Sequence, residues 1–255
     1  MIFETHAHYD DGAFDVDRTE LFDSFQWNEI GYVVNVSYDI KSSETTLEMT
    51  KQYPFLYGAV GVHPNDVDKM TSADMVLLRQ MALENKIVAI GEIGLDYYYP
   101  EPDHEIQKSW FVKQIDLARE LKMPMVIHSR DAAKDTIDIM QEMYASEIGG
   151  VVHCFSYSKE VARDVLDMGF YIGIGGVVTF KNAKKLKEAV EYIPLDRILL
   201  ETDSPYLTPE PNRGKRNSSL NLPYIAKAIA DIKGITYEEV VEVTEQNAKT
   251  MYRIQ

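Results

Sequence analysis

The stretch PMVIHSRDAAKDTIDIMQEMYASEIGGVVHC, residues 124–154, sets two short apolar runs (124–128 and 150–154) around an amphipathic, helix-like segment near 131–146. Strand, helix and strand in that order, with apolar strands, form the unit of a parallel sheet covered by helices. Working outward, the same alternation recurs along the whole chain. Strands are predicted at 2–7, 32–37, 56–62, 87–93, 171–175 and 198–203 as well, and helices near 15–29, 42–52, 72–85, 104–122, 158–168, 182–191 and 219–232. A last helix over 236–251 opens with Thr236-Tyr237-Glu238-Glu239, a capping-box pattern. Eight such units in 255 residues fit an α/β fold of the (β/α)8 TIM-barrel type, with a doubly wound open sheet as the competing arrangement. No Pro/Ser-rich linker or low-complexity run divides the chain, so residues 1–255 are expected to form one domain.

Composition excludes several classes. With 26 Lys and Arg against 41 Asp and Glu, the formal charge is −15. That argues against a protein that coats nucleic acid non-specifically, though not against an enzyme that holds phosphates through metal ions. Cys154 is the single cysteine, which rules out a disulfide scaffold. No stretch has the roughly 18–20 apolar residues of a membrane span, and the N-terminus lacks a secretory pattern, so no membrane partner and a cytoplasmic location are expected. No obligate protein partner is indicated.

The histidines carry the chemistry. Of six, His6, His8, His63, His128 and His153 fall at or near the ends of predicted strands, the rim where barrel enzymes build their sites. His104 does not, and is expected on a surface helix. His6 and His8, two apart, leave one face of the first strand and can chelate one divalent cation. Glu92 is a carboxylate inside an apolar strand, where an unpaired charge is costly. Asp203 ends the eighth strand, and Glu201 shares its face. Two divalent cations explain this set together: one on His6, His8 and Asp203, another on His128 and His153, with Glu92 bridging. Such a pair suits metal-assisted hydrolysis, with Mg, Mn, Zn or a similar ion.

Several motifs then occur in a familiar order. Thr5-His6-Ala7-His8, Gly61-Val62-His63-Pro64, Gly91-Glu92-Ile93-Gly94-Leu95-Asp96-Tyr97, Ile127-His128-Ser129-Arg130-Asp131-Ala132, His153-Cys154-Phe155-Ser156 and Glu201-Thr202-Asp203-Ser204-Pro205-Tyr206-Leu207 resemble the successive motifs of the TatD family. Arg213-Gly214-Lys215-Arg216-Asn217 and Asn247-Ala248 continue the likeness over essentially the whole chain. The resemblance implies a barrel of the amidohydrolase-like superfamily with divalent metals. It also implies a deoxyribonuclease that trims DNA or RNA strands from the 3′ end, and the ligands His6, His8, Glu92, His128, His153 and Asp203. Two motifs depart from the family pattern: the first, which reads His6-Ala7-His8-Tyr9 where His-Cys-His-Leu is usual, and the one after His153, with Tyr157 where a glycine is usual.

Other residues have candidate roles beside plainer ones. Asp203 can also accept the proton of the attacking water, and Glu201 can bind metal, steer water or orient a histidine. His63 and Arg130 are placed to contact a phosphate. So is the basic loop with Arg213, Lys215 and Arg216, unless surface carboxylates hold it. Tyr97, Tyr98 and Tyr99 offer base stacking or simple loop packing, and Tyr157 could stack on a base or narrow the site. Gly173, Gly175 and Gly176 make room, and Cys154 alternates away as a buried bystander. The leading expectation is a nuclease using a metal-activated hydroxide. The alternative is a small ester, amide or lactone hydrolase on the same binuclear site, and a non-catalytic binding protein is disfavoured because all six ligands are present.

Overall fold

The computed structural model describes residues 1–254. Eight parallel strands, β1 (Ile2–Ala7), β2 (Ile30–Val36), β3 (Leu56–Val60), β4 (Ile87–Asp96), β5 (Met125–Arg130), β6 (Gly150–Val152), β7 (Tyr171–Ile174) and β8 (Ile198–Leu200), pair in chain order. The circle is closed just past β8, where Asp203 N donates to His6 O at 3.0 Å and His8 N to Ser204 O at 2.8 Å. This is a (β/α)8 TIM barrel, not an open doubly wound sheet.

The helices are α1 (Arg18–Phe25), α2 (Ile40–Gln52), α3 (Ser72–Ala82), α4 (His104–Leu121), α5 (Ala133–Glu142), α6 (Lys159–Asp167), α7 (Lys184–Tyr192), α8 (Leu222–Lys233) and α9 (Tyr237–Tyr252). Local chemistry sets their ends. Asp39 accepts from Ser42 N to start α2, and Thr236 Oγ1 accepts from Glu239 N at 3.1 Å to start α9. Gly234, at φ 67°, ends α8 in the left-handed conformation that glycine adopts without a steric penalty. The helix expected over 15–29 shortens to α1, with a single 3-10 turn after it and the left-handed Glu29 closing the segment.

Strand alternation divides the apolar residues into two cores. Val33, Ile172, Ile198 and Leu200 face outward into the helix layer. Val34, Ala59, Ala89, Val126, Val151 and Leu199 face inward and pack with Ala248, Met251 and Tyr252 of α9. The last helix therefore plugs the N-terminal end of the barrel, and the Tyr252 hydroxyl donates to Thr5 O at 2.8 Å. Among the described residues no helix is long and apolar enough to cross a membrane.

Candidate metal centre

At the opposite end the inward-facing positions turn polar. β4 carries one extra residue between Ile90 and Ile93 relative to Met125–Ile127 of β5, and this bulge falls at Gly91–Glu92. Bulges re-aim side chains, and Glu92 ends up buried at the centre of the mouth with four imidazoles around it. Its Oε2 lies 3.3 Å from His6 Nε2 and 3.8 Å from His8 Nε2. Its Oε1 lies 2.7 Å from His153 Nε2 and 2.8 Å from His128 Nδ1. Asp203 Oδ1 completes the first group, 3.2 Å from His8 Nε2 and 3.7 Å from His6 Nε2. The six residues His6, His8, Glu92, His128, His153 and Asp203 thus converge on one place, with the two Glu92 oxygens facing different histidine pairs.

His63 joins them, its Nε2 3.7 Å from Glu92 Oε1 and its ring 4.3 Å from that of His128. Asp96 is a member that the sequence reading passed over: its Oδ2 lies 3.1 Å from His128 Nε2. It occupies β4 four residues after Glu92, on the same face, but past the predicted strand end at 93. Gly94 makes this approach possible. At φ 145° it lies against β5 so closely that a Cβ would collide with His128 O. On the other side His8 Nδ1 donates to Val36 O at 2.7 Å, which presents its Nε2 to the centre.

These donors could hold metal, in groups such as His6, His8 and Asp203 or His63, Glu92 and His128. His6 Nε2 and His8 Nε2 are 3.2 Å apart, as are His128 Nδ1 and His153 Nε2, so four ring nitrogens gather around one carboxylate. Buried groups normally find hydrogen-bond partners, yet His6 Nδ1, His153 Nδ1 and Glu201 Oε2 have none. Electrostatics divides the imidazoles. Burial, reinforced by neighbouring histidines, lowers His6 to about 4 and His63 to about 3, leaving them neutral donors. At His8 and His128 burial is outweighed by carboxylates, Asp203 for the first and Asp96 with Glu92 for the second, which raise them to about 10 and about 9. Glu92 is held well below the usual carboxylate range because the surrounding imidazoles, with hydrogen bonds from His128 and His153, overcome its burial. Glu201 is pushed well up, by burial above all.

Around the mouth the candidate residues separate. Arg130 is exposed, its guanidinium 3.8 Å over the Tyr98 ring and 5.7 Å from that of Tyr99. Among the described residues no carboxylate lies within 4.0 Å of it, nor of Arg213 or Lys215. Arg213 rests over Phe180 at 4.2 Å. Arg216 is different: Asp17 grips it bidentately at 2.6 and 2.7 Å, and it lies over Phe14. The plainer reading of a cation held by a surface carboxylate holds for that residue. Tyr97 is a packing residue, stacked on His104 at 3.7 Å with its hydroxyl donating to Asp135. His104 is correspondingly the half-buried first residue of α4.

Two expectations are corrected. Tyr157 does not stand free in the mouth, because its hydroxyl pairs with Ser129 Oγ at 3.0 Å and accepts from Ala132 N at 3.2 Å. Cys154 is not turned away as a buried bystander. Its φ of 46° breaks strand alternation, its backbone N donates to Glu201 Oε1, and it stays partly exposed. Burial and the charges of Asp203, Glu201 and Glu92 raise its thiol well above the ordinary value. Gly173 does make room, for Glu201: a Cβ there would sit 2.2 Å from Glu201 Oε2.

A TIM barrel with this histidine–carboxylate mouth defines a metal-dependent hydrolase. The model of the family described as TatD related DNase matches residues 3–253, and the chain belongs to that family. It is 44% identical over 254 residues to YabD, an uncharacterized metal-dependent hydrolase of Bacillus subtilis, covering 100% of both chains. YcfH of Escherichia coli K12, also an uncharacterized metal-dependent hydrolase, is 44% identical over 194 residues, 76% of this chain and 72% of that one. Among solved structures, the TatD homolog YjjV of E. coli superposes with a TM-score of 0.94 at 26% identity, covering 100% of this chain and 98% of that one.

Proposed function

We propose that residues 1–255 work as one domain, a cytoplasmic phosphodiesterase that shortens DNA, and RNA of like chemistry, from the 3′ end. His6, His8 and Asp203 would hold one divalent cation and His128 and His153 a second, with Glu92 shared between them. Mg, Mn, Zn or a similar ion bound there supplies Lewis-acid charge for a phosphoryl oxygen and lowers the pKa of water.

The chain's own residues supply the rest. Asp203 sits at the exposed edge of the cluster, with 16% of its side chain open, and its carboxyl is lowered because the His8 hydrogen bond overcomes burial. In that ionised form its free oxygen can take a proton from the attacking water and return it to the leaving sugar oxygen. His63, beside Glu92 and His128, is placed to touch the scissile phosphate. Glu201, buried beneath the histidines, orients them and does not meet substrate.

The observation that carries the nucleic-acid reading is Arg130. It is a cation without a carboxylate in a strongly acidic protein, stacked on exposed Tyr98, two residues from His128. Asp96 ties this rim to the centre, since Tyr98 N donates to its Oδ1 at 3.0 Å while its Oδ2 faces His128. A guanidinium laid on an aromatic ring suits a phosphate beside a base, and Arg213 and Lys215 extend the cationic rim. A small ester or lactone needs none of these. The test is hydrolysis of a 3′-labelled single strand alongside a panel of esters, amides and lactones, after chelation and re-addition of single metals. Stepwise loss of the 3′ label restored by a divalent ion is expected. Turnover of a lactone with an untouched strand overturns the reading.

A further inference from the structure

Three of the five buried side-chain atoms without a hydrogen-bond partner among the described residues lie in one place: His6 Nδ1, His153 Nδ1 and Glu201 Oε2. The His6 and His153 rings stack face to face, centroids 3.9 Å apart and planes 9° from parallel. Their Nε2 atoms face Glu92, at 3.3 and 2.7 Å, so their Nδ1 atoms leave on the other side. Glu201 waits there, fully buried, with Oε1 held by Cys154 N and 3.9 Å from His153 Nδ1. One donor atom each of His6, His153 and Glu201 lie within 4.8 Å of one another. The missing side chain of Gly173 leaves the space that Oε2 fills.

An imidazole that gives its Nε2 lone pair to a cation carries its proton on Nδ1, and a buried N–H with no acceptor is costly. We propose that Glu201 is a positioning residue shared by the two cation sites. Once both cations are held, His153 Nδ1–H and His6 Nδ1–H both donate to its carboxylate. One acid then fixes the tautomer and ring plane of a ligand to each cation, and the two sites are coupled through it. The proposal rests on the metal-centre assignment above.

The test is calorimetric titration of the chelator-stripped full chain with zinc or manganese, wild type beside Glu201→Gln and Gly173→Ala, with bound ions counted by emission spectroscopy. Glu201→Gln keeps the size and one acceptor oxygen. It is expected to weaken uptake of both ions by about 10–100-fold, the usual cost of losing such a partner, while the circular dichroism of the stripped protein stays unchanged. Gly173→Ala, which displaces the carboxylate, is expected to do the same. Loss at one site only, or at neither, overturns the shared role. A second measurement needs no variant. In the ion-loaded wild type, 15N-histidine NMR should show His6 and His153 both protonated at Nδ1 with slowly exchanging protons, and a freely exchanging proton on either overturns the proposal. A wild-type chain that takes up no pair of ions removes the metal-centre assignment itself, and its own titration separates that failure from the other.

Discussion

The two ends of this barrel follow the same strand alternation and use it for opposite purposes. At the N-terminal end the inward positions are Phe3, Val34, Ala89, Val126 and Leu199, sealed by Ala248, Met251 and Tyr252. At the C-terminal end the inward positions are imidazoles and carboxylates, several with buried atoms that lack partners. An apolar plug gains free energy by excluding water. Buried polar atoms without partners, such as His6 Nδ1, His153 Nδ1 and Glu201 Oε2, lose it. Stability and chemistry are thus assigned to different ends of one cylinder, and changes at either end should have separable effects.

The sharpest test of that separation is Glu92→Ala. It removes the carboxylate shared by both histidine pairs, so hydrolysis should fall by about 10³-fold, the several kcal/mol that metal assistance supplies. Thermal melting of the stripped protein should fall only in part, because the imidazoles that hold Glu92 ionised lose their counter-charge while the apolar plug stays intact. A coincident collapse in melting temperature would break the division. Next in size is the pH dependence of ion uptake. Without metal, His8 and His128 hold protons up to about 10 and about 9, respectively. Each must lose its proton to bind, so affinity at each site should rise about tenfold per pH unit through neutrality. Buffers of different ionisation enthalpy would report the released protons, and affinity that falls as pH rises would contradict it.

At the other end Met251→Ala should cost about 2 kcal/mol or more in urea unfolding of the stripped protein and leave the number of bound ions unchanged. The smallest effect is at the rim. Arg130→Ala should raise KM for a single strand about tenfold, the scale of one charge-assisted contact, with kcat little altered. Arg216→Ala, already tied to Asp17, should leave KM as it is. Equal effects from both arginines would undo the distinction drawn between them.

Much of this was legible in the sequence. The eight apolar runs gave the barrel, and strand-end histidines marked its mouth, because alternation with a period of two is enforced wherever a strand is buried. Legibility failed where the backbone leaves that period. Cys154 was assigned to the wrong side because a left-handed φ interrupts β6 just beyond its end. Asp96 was overlooked because β4 runs three residues past its predicted limit, although its parity with Glu92 was visible. The partners of Arg216 and Tyr157 lie on other segments, Asp17 before α1 and Ser129 on β5, and no local pattern announces a tertiary contact. The plugging role of α9 was hidden for the same reason.

The barrel closes between its first strand and the segment after its last, and the two halves of one candidate ligand group, His6 with His8 and Asp203, stand on either side of that closure. The group can therefore exist only once the chain has been made through Asp203. A chain broken off between residues 153 and 203 carries all five centre histidines but lacks the carboxylate that completes this group.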